Sequence, residues 1–148
     1  MMATRVAVGA VVVAGLGLAG AGVAAADPSG KLVTNGCQGS SPNIIDMPYS
    51  GQVIASQYNQ AGSADISVYG GSSIFGYDTR PTLTWTNLNT GASGSVTGYA
   101  RVGMPYTANV NFPRVPTGSG PVRIDVSVAN SGFFPVPAVT CSGVVDLD

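Results

Sequence analysis

The sequence predicts an all-β protein, a single antiparallel β-sandwich of about seven or eight strands, on three observations. From Gly51 onward apolar residues alternate with polar ones at a period of two, which sets one face of a strand against a core and the other in water. The alternating runs are short, and clusters of Gly, Pro, Asn and Ser break them at intervals of about 8–12 residues, as turns do in a sandwich or barrel. Beyond residue 26 no stretch carries a helical period of any length.

The chain opens on a segment that reads as a secretory signal rather than as part of the fold. Arg5 supplies a short positive region, Val6 to Val23 run without a charge, and Ala24-Ala25-Ala26 places small residues at the −3 and −1 positions ahead of Asp27. A run of about 20 apolar residues could instead anchor the chain in a bilayer. The Ala/Gly/Val composition, the missing basic flank at its far end and the A-x-A site favour cleavage. Gly15 to Gly20 match a dinucleotide-binding G-x-G-x-x-G, but with no strand before them inside the signal they carry no functional weight.

Removing residues 1–26 leaves about 120 residues, one domain's length and enough for a real core. Residues 27–50 read as an extended lead-in with one short strand, pinned by Cys37, and residues 51–148 as the sandwich core. Weaker strands are expected over Gln52 to Tyr58 and Ala64 to Tyr69. Thr82 to Thr86 is clearer, with Leu83 and Trp85 on one face and three threonines on the other. Ser95 to Val102 follows as a weaker run, then Tyr106 to Phe112 with Tyr106, Ala108, Val110 and Phe112 inward. Val122, Ile124, Val126 and Val128 alternate with Arg123, Asp125 and Ser127, and Ala138 to Leu147 closes the chain. Turn chemistry fills Asn87 to Gly94, Thr117 to Pro121 and Asn130 to Gly132.

Cys37 and Cys141 are the only cysteines, so a single intramolecular pairing exists. In an exported chain that pair is expected to be a disulfide tying the entrance of the domain to its last strand. The chain has no His and no Glu, which removes Ser-His-Asp and Cys-His relays, the usual zinc sites and any near-neutral general base. The mature cations, Lys31, Arg80, Arg101, Arg114 and Arg123, form no basic stripe of the kind nucleic acid needs. The aspartates lack the spacing of a calcium loop.

The hairpin from Thr82 through Ser95, with its strand Trp85 and late Cys141, resembles an immunoglobulin-like sandwich in architecture. Because Cys37 precedes the first clear strand, the bridge is expected near an edge or end rather than between central strands. The Ala/Gly/Val-rich signal, the lone disulfide and the segment Trp85 to Gly98 are similar to small secreted single-disulfide β-sandwich proteins of actinobacteria. The composition is also similar to the β-sandwich carriers of enediyne antibiotics, though this chain lacks their second disulfide.

Two segments stand out as candidate sites. Tyr69 to Asp78 combines Tyr, Ser and Gly as adaptable recognition loops do, with Tyr69, Phe75 and Tyr77 as contact residues and Asp78 and Arg80 fixing orientation. The plainer reading is a Gly-rich turn with Phe75 and Tyr77 packed on the core. Phe133-Phe134-Pro135-Val136-Pro137 sets two aromatics side by side, and its prolines suit an edge or a connection. Asp78-Thr79 opens like an aspartic-protease motif, but Arg80 stands where Gly belongs and no second copy exists.

These readings converge on a secreted, non-catalytic binding or interaction domain at the cell envelope or outside the cell. The partner is expected to be an extracellular protein. The alternatives are a carrier of a small apolar ligand and an inhibitor of an extracellular enzyme. No cofactor, no metal, no nucleic acid and, after signal cleavage, no membrane contact is expected.

Overall fold

The period of two becomes structure most completely in the middle of the chain. In a computed structural model, residues 31–57, 60–105 and 107–148 are described. The expected signal at 1–26 and the inward Tyr106 fall outside them. Nine strands form among the described residues: β1 (Lys31–Gly39), β2 (Tyr49–Ser56), β3 (Ala64–Tyr69), β4 (Tyr77–Asn87), β5 (Ser93–Thr97), β6 (Ala100–Val102), β7 (Asn109–Val115), β8 (Gly120–Ser131) and β9 (Val139–Leu147). They build two antiparallel sheets, β1-β2-β3-β7 and β5-β4-β8-β9, with β6 pairing β4 beside β5.

Strand β4 alternates between inward and outward along its whole length, with Leu83 and Trp85 buried and Thr84 exposed. It pairs β8 from Asp78 opposite Ser131 to Asn87 opposite Val122. Val122, Ile124, Val126 and Val128 on β8 are buried, as the alternation requires. Facing them, Val53, Ala55, Ile66, Val68, Val110 and Phe112 of the other sheet complete the core. Two β-branched inner faces interdigitating in this way are what hold a sandwich together.

Several expectations shift. The lead-in contains a full nine-residue edge strand, β1, rather than a short one. Its pairing with β2 slips between Leu32 and Thr34 and again between Thr34 and Cys37, and such bulges erase the clean alternation by which a strand is read. Ser95 to Val102 is broken into β5 and β6 at Gly98, whose N–H donates to the Pro81 carbonyl (2.9 Å) and where a side chain would collide with Val110. That split takes the strand number to nine, above the expected seven or eight. Strand β7 runs through Pro113, tolerated because β7 is an edge, and bulges at Arg114 (φ 50°), whose N–H donates to Asp65 Oδ1 at 2.6 Å. Strand β8 also runs past its expected end, so Asn130 and Ser131 lie in the ladder rather than in a turn.

Cys37 and Cys141 are joined, with Cα atoms 5.2 Å apart. The bridge links β1, an edge of one sheet, to β9, an edge of the other. At Gly143 on β9 a side chain would strike the Val33 carbonyl of β1, so the two edges meet backbone to backbone.

Candidate functional site: an apolar crown at one pole

Four connecting segments converge at the end of the sandwich where β1 finishes and β4 begins: residues 41–48, 71–76, 103–105 and 132–135. They display Ile44, Ile45 and Met47 from the first, Ile74 and Phe75 from the second, Met104 from the third, and Phe133 and Phe134 from the fourth, all exposed. Ile45 is 89% exposed and Phe133 77%. Among the described residues, loops at the other pole carry Asn89, Thr90, Thr117 and Ser119 around one large exposed hydrophobic residue, Leu88. Large apolar side chains gathered on one pole depart from the single scattering that is ordinary on a protein surface.

A polar knot of buried Asn43 and Ser73 with partly exposed Asp46 holds the crown. The Asn43 side-chain amide donates to Asp46 Oδ2 (2.9 Å) and the Gly76 carbonyl (3.1 Å), and its oxygen accepts from Phe133 N–H (3.4 Å). The Ser73 hydroxyl donates to the Asp46 carboxylate and accepts from Gly76 N–H at 2.8 Å. Asp46 Oδ1 accepts from Met47 N–H (2.8 Å) and Ile74 N–H (2.9 Å). Met104 N–H reaches the Ser73 carbonyl and Phe134 N–H the Pro42 carbonyl, both at 2.9 Å. Asp46 therefore stitches two loops together and, with Asn43, reaches a third.

Desolvation raises the pKa of Asp46, but hydrogen bonds from Ser73, Asn43, Ile74 and Met47 outweigh it and hold the carboxyl well below the ordinary carboxylate range. A carboxyl depressed in the folded state stabilises fully above its unfolded pKa, and that contribution fades as pH falls toward the folded value. Lowering pH from about 5 to about 2 is thus expected to loosen the crown. Hydrogen exchange at Met47, Ile74 and Gly76 should accelerate relative to the β4–β8 ladder. Equal acceleration in both would show that Asp46 does not organise these loops.

Ile45 adds strain to exposure. Its φ of 54° lies in the left-handed region, where a β-branched residue is a genuine outlier. Glycine or asparagine would sit there at lower cost, and strain of this kind clusters at functional sites.

The residues singled out in the sequence separate. Phe75 is 57% exposed and belongs to the crown. Tyr77 does not: at 1% exposure it is a core residue of β4, and burial pushes its hydroxyl up to about 12, as it does that of neighbouring Tyr49. The alternation of β4 turns Tyr77 inward with Thr79 and Leu83, which overrides its place in a recognition-like segment. Tyr69 ends β3, half-buried and paired with Gln52 and Asn109, so it is a sheet residue rather than a loop contact.

Asp78 and Arg80 meet in a small cluster behind Phe75. Asp78 Oδ1 accepts from Tyr99 Oη at 2.8 Å and pairs with Arg101 at 3.1 Å, while Arg80 lies 5.3 Å from the Tyr99 ring centre. The hydrogen bond from Tyr99, aided by Arg101, lowers the Asp78 pKa. Phe133 and Phe134, the side-by-side aromatics of the proline-rich segment, are exposed crown residues on a connection. Ile44, Ile45, Met47, Ile74 and Met104 escaped sequence reading. The signal for the first three was adjacent apolar residues, out of period, bracketed by Pro42 and Pro48.

The described depressions are open to the surface. One of about 340 Å³ lies between Phe75, Arg101 and Phe133 on the crown, and one of about 390 Å³ lies on the polar outer face of β4, β8 and β9 over Thr84, Asp125 and Ser142. Comparison with known protein families, curated proteins and solved structures yields no match.

Proposed function

We propose that this chain works as an exported, non-catalytic binding module of immunoglobulin-like design, and that the crown is its contact surface. The observation that carries this reading is the crown itself: eight large apolar side chains presented on four loops by one internal hydrogen-bonded knot. Pre-ordered loops lose little entropy on binding, and aromatic anchors such as Phe75 and Phe133 carry most interface energy. The disulfide fits an oxidising compartment. Packed valine, isoleucine and leucine between the sheets favour surface contact over the enclosed carriage of a ligand. The described aspartates with partners are engaged structurally: Asp46 in the knot, Asp78 with Arg101, Asp125 with Arg123 at 3.0 Å, and Asp65 with the β7 bulge.

A photo-cross-linking residue placed at Phe133 of the full chain, in the cells that produce it, is expected to form adducts. The same residue at Thr84, on the exposed polar face of β4, should form none. Adducts from Thr84 with none from Phe133 would move the contact surface to the sheet and end the crown reading.

A further inference from the structure

We propose that the crown's occupant is a phospholipid bilayer surface, which the loop tips enter to the headgroup–acyl boundary. This rests on the crown being the contact surface, and it departs from the sequence expectation that the mature domain meets no membrane.

The first argument is hydrogen bonding. Hydrocarbon offers no partner to a backbone N–H, so a loop that enters it must satisfy its own donors. Five of the eight apolar crown residues, Met47, Ile74, Met104, Phe133 and Phe134, and Gly76 beside them, donate their N–H groups within the crown. A protein partner could supply acceptors of its own, about one hydrogen bond per 100–200 Å² of contact, whereas acyl chains supply none.

Charge placement is the second. On the four crown segments the only ionisable residue is Asp46, whose carboxylate is held by Ser73, Asn43 and two backbone N–H groups. Behind the tips the chemistry changes. The Arg101 guanidinium packs against Gly76, pairs with Asp78, and stands beside Tyr99 and Arg80. Apolar tips backed by Tyr and Arg match the layering of a membrane interface, acyl chain first and phosphate behind.

The third is Ile45. The most exposed side chain of the crown sits on a left-handed backbone where a polar or glycine residue would be easier, so an apolar group is retained there against local preference. Among the described residues no helix is long and apolar enough to cross a membrane, and contact of this kind needs none. Interfacial binding buries an apolar face only about 5–10 Å deep, so loop tips suffice without a spanning segment.

The test is co-sedimentation of the folded, full-length protein with phosphatidylcholine vesicles, comparing the parent with Phe133→Asp, Ile45→Asn and Thr84→Asp. Retention on an octyl matrix, sedimentation velocity and melting temperature are read in parallel. The parent and Thr84→Asp should bind vesicles, and Phe133→Asp and Ile45→Asn should bind at least about tenfold more weakly. Ile45→Asn should melt no lower than the parent, because asparagine accepts the left-handed conformation.

Vesicle binding undiminished in Phe133→Asp would report another segment and overturn the proposal. A parent that ignores vesicles but is held on octyl through the crown would also overturn it, leaving the contact-surface reading intact. Failure on both supports would remove both. A dimer that Phe133→Asp dissolves would assign the crown to a second copy instead of lipid.

Discussion

Truncation of Trp85 to alanine is expected to lower stability by about 3–5 kcal/mol, the range for a large aromatic removed from a packed interior. Trp85 is 7% exposed on the inward face of β4, two residues from the fully buried Leu83. Its partner in the register is Gly94 on β5, and a β-carbon there would lie 2.8 Å from the indole Nε1. The ring therefore covers a site where the neighbouring strand has no side chain, and nothing on β5 can fill the hole that alanine leaves. Because it is the only tryptophan, parent emission should be blue-shifted when folded and move red on unfolding. Denaturant titration followed by circular dichroism measures the variant. A loss below about 1 kcal/mol would mean that the site collapses freely and that the β4–β5 edge is not part of the core.

Loss of the disulfide comes next, at an expected 2–5 kcal/mol for Cys141→Ser. Cys37 and Cys141 are 104 residues apart, and the chain-entropy model gives about 4.7 kcal/mol for closing a loop of about 100 residues. Cys37 is fully buried and Cys141 half-buried. Serine at 141 thus leaves at position 37 a small, tolerated hydrophobe, and the loss reports chiefly the cross-link. The bridge is the covalent tie between the β1 and β9 edges, so hydrogen exchange should rise first along those two strands. An unchanged unfolding midpoint would show that strand pairing alone holds the edges together.

The strand interiors were legible from sequence because their signal is local. Alternation around Leu83, Trp85, Ile124, Val126, Val110 and Phe112 depends only on neighbours two apart, and each of these side chains is inward. The same reasoning failed where the backbone departs from a plain ladder. Bulges along β1 and at Arg114, and the break at Gly98, change which face a residue takes without changing composition. Tyr77 shows the other limit. Its neighbours suggested a recognition loop, but it falls in phase with the core face of β4, and phase decides burial.

By itself the sequence determined the all-β class, the inward faces of its clearest strands, the one possible disulfide and the absence of histidine chemistry. Those follow from period, count and residue type. The crown was decided only in three dimensions. Phe133 N–H meets Asn43 across 90 residues, Ile74 N–H meets Asp46 across 28, and Gly76 meets Asn43 across 33. Strand pairing across the two sheets brings these loops to one pole, and no local pattern encodes which loop ends will share it. Tertiary structure gathered isoleucines and phenylalanines, each unremarkable on a surface alone, on loops at one pole that a single hydrogen-bonded carboxylate ties together.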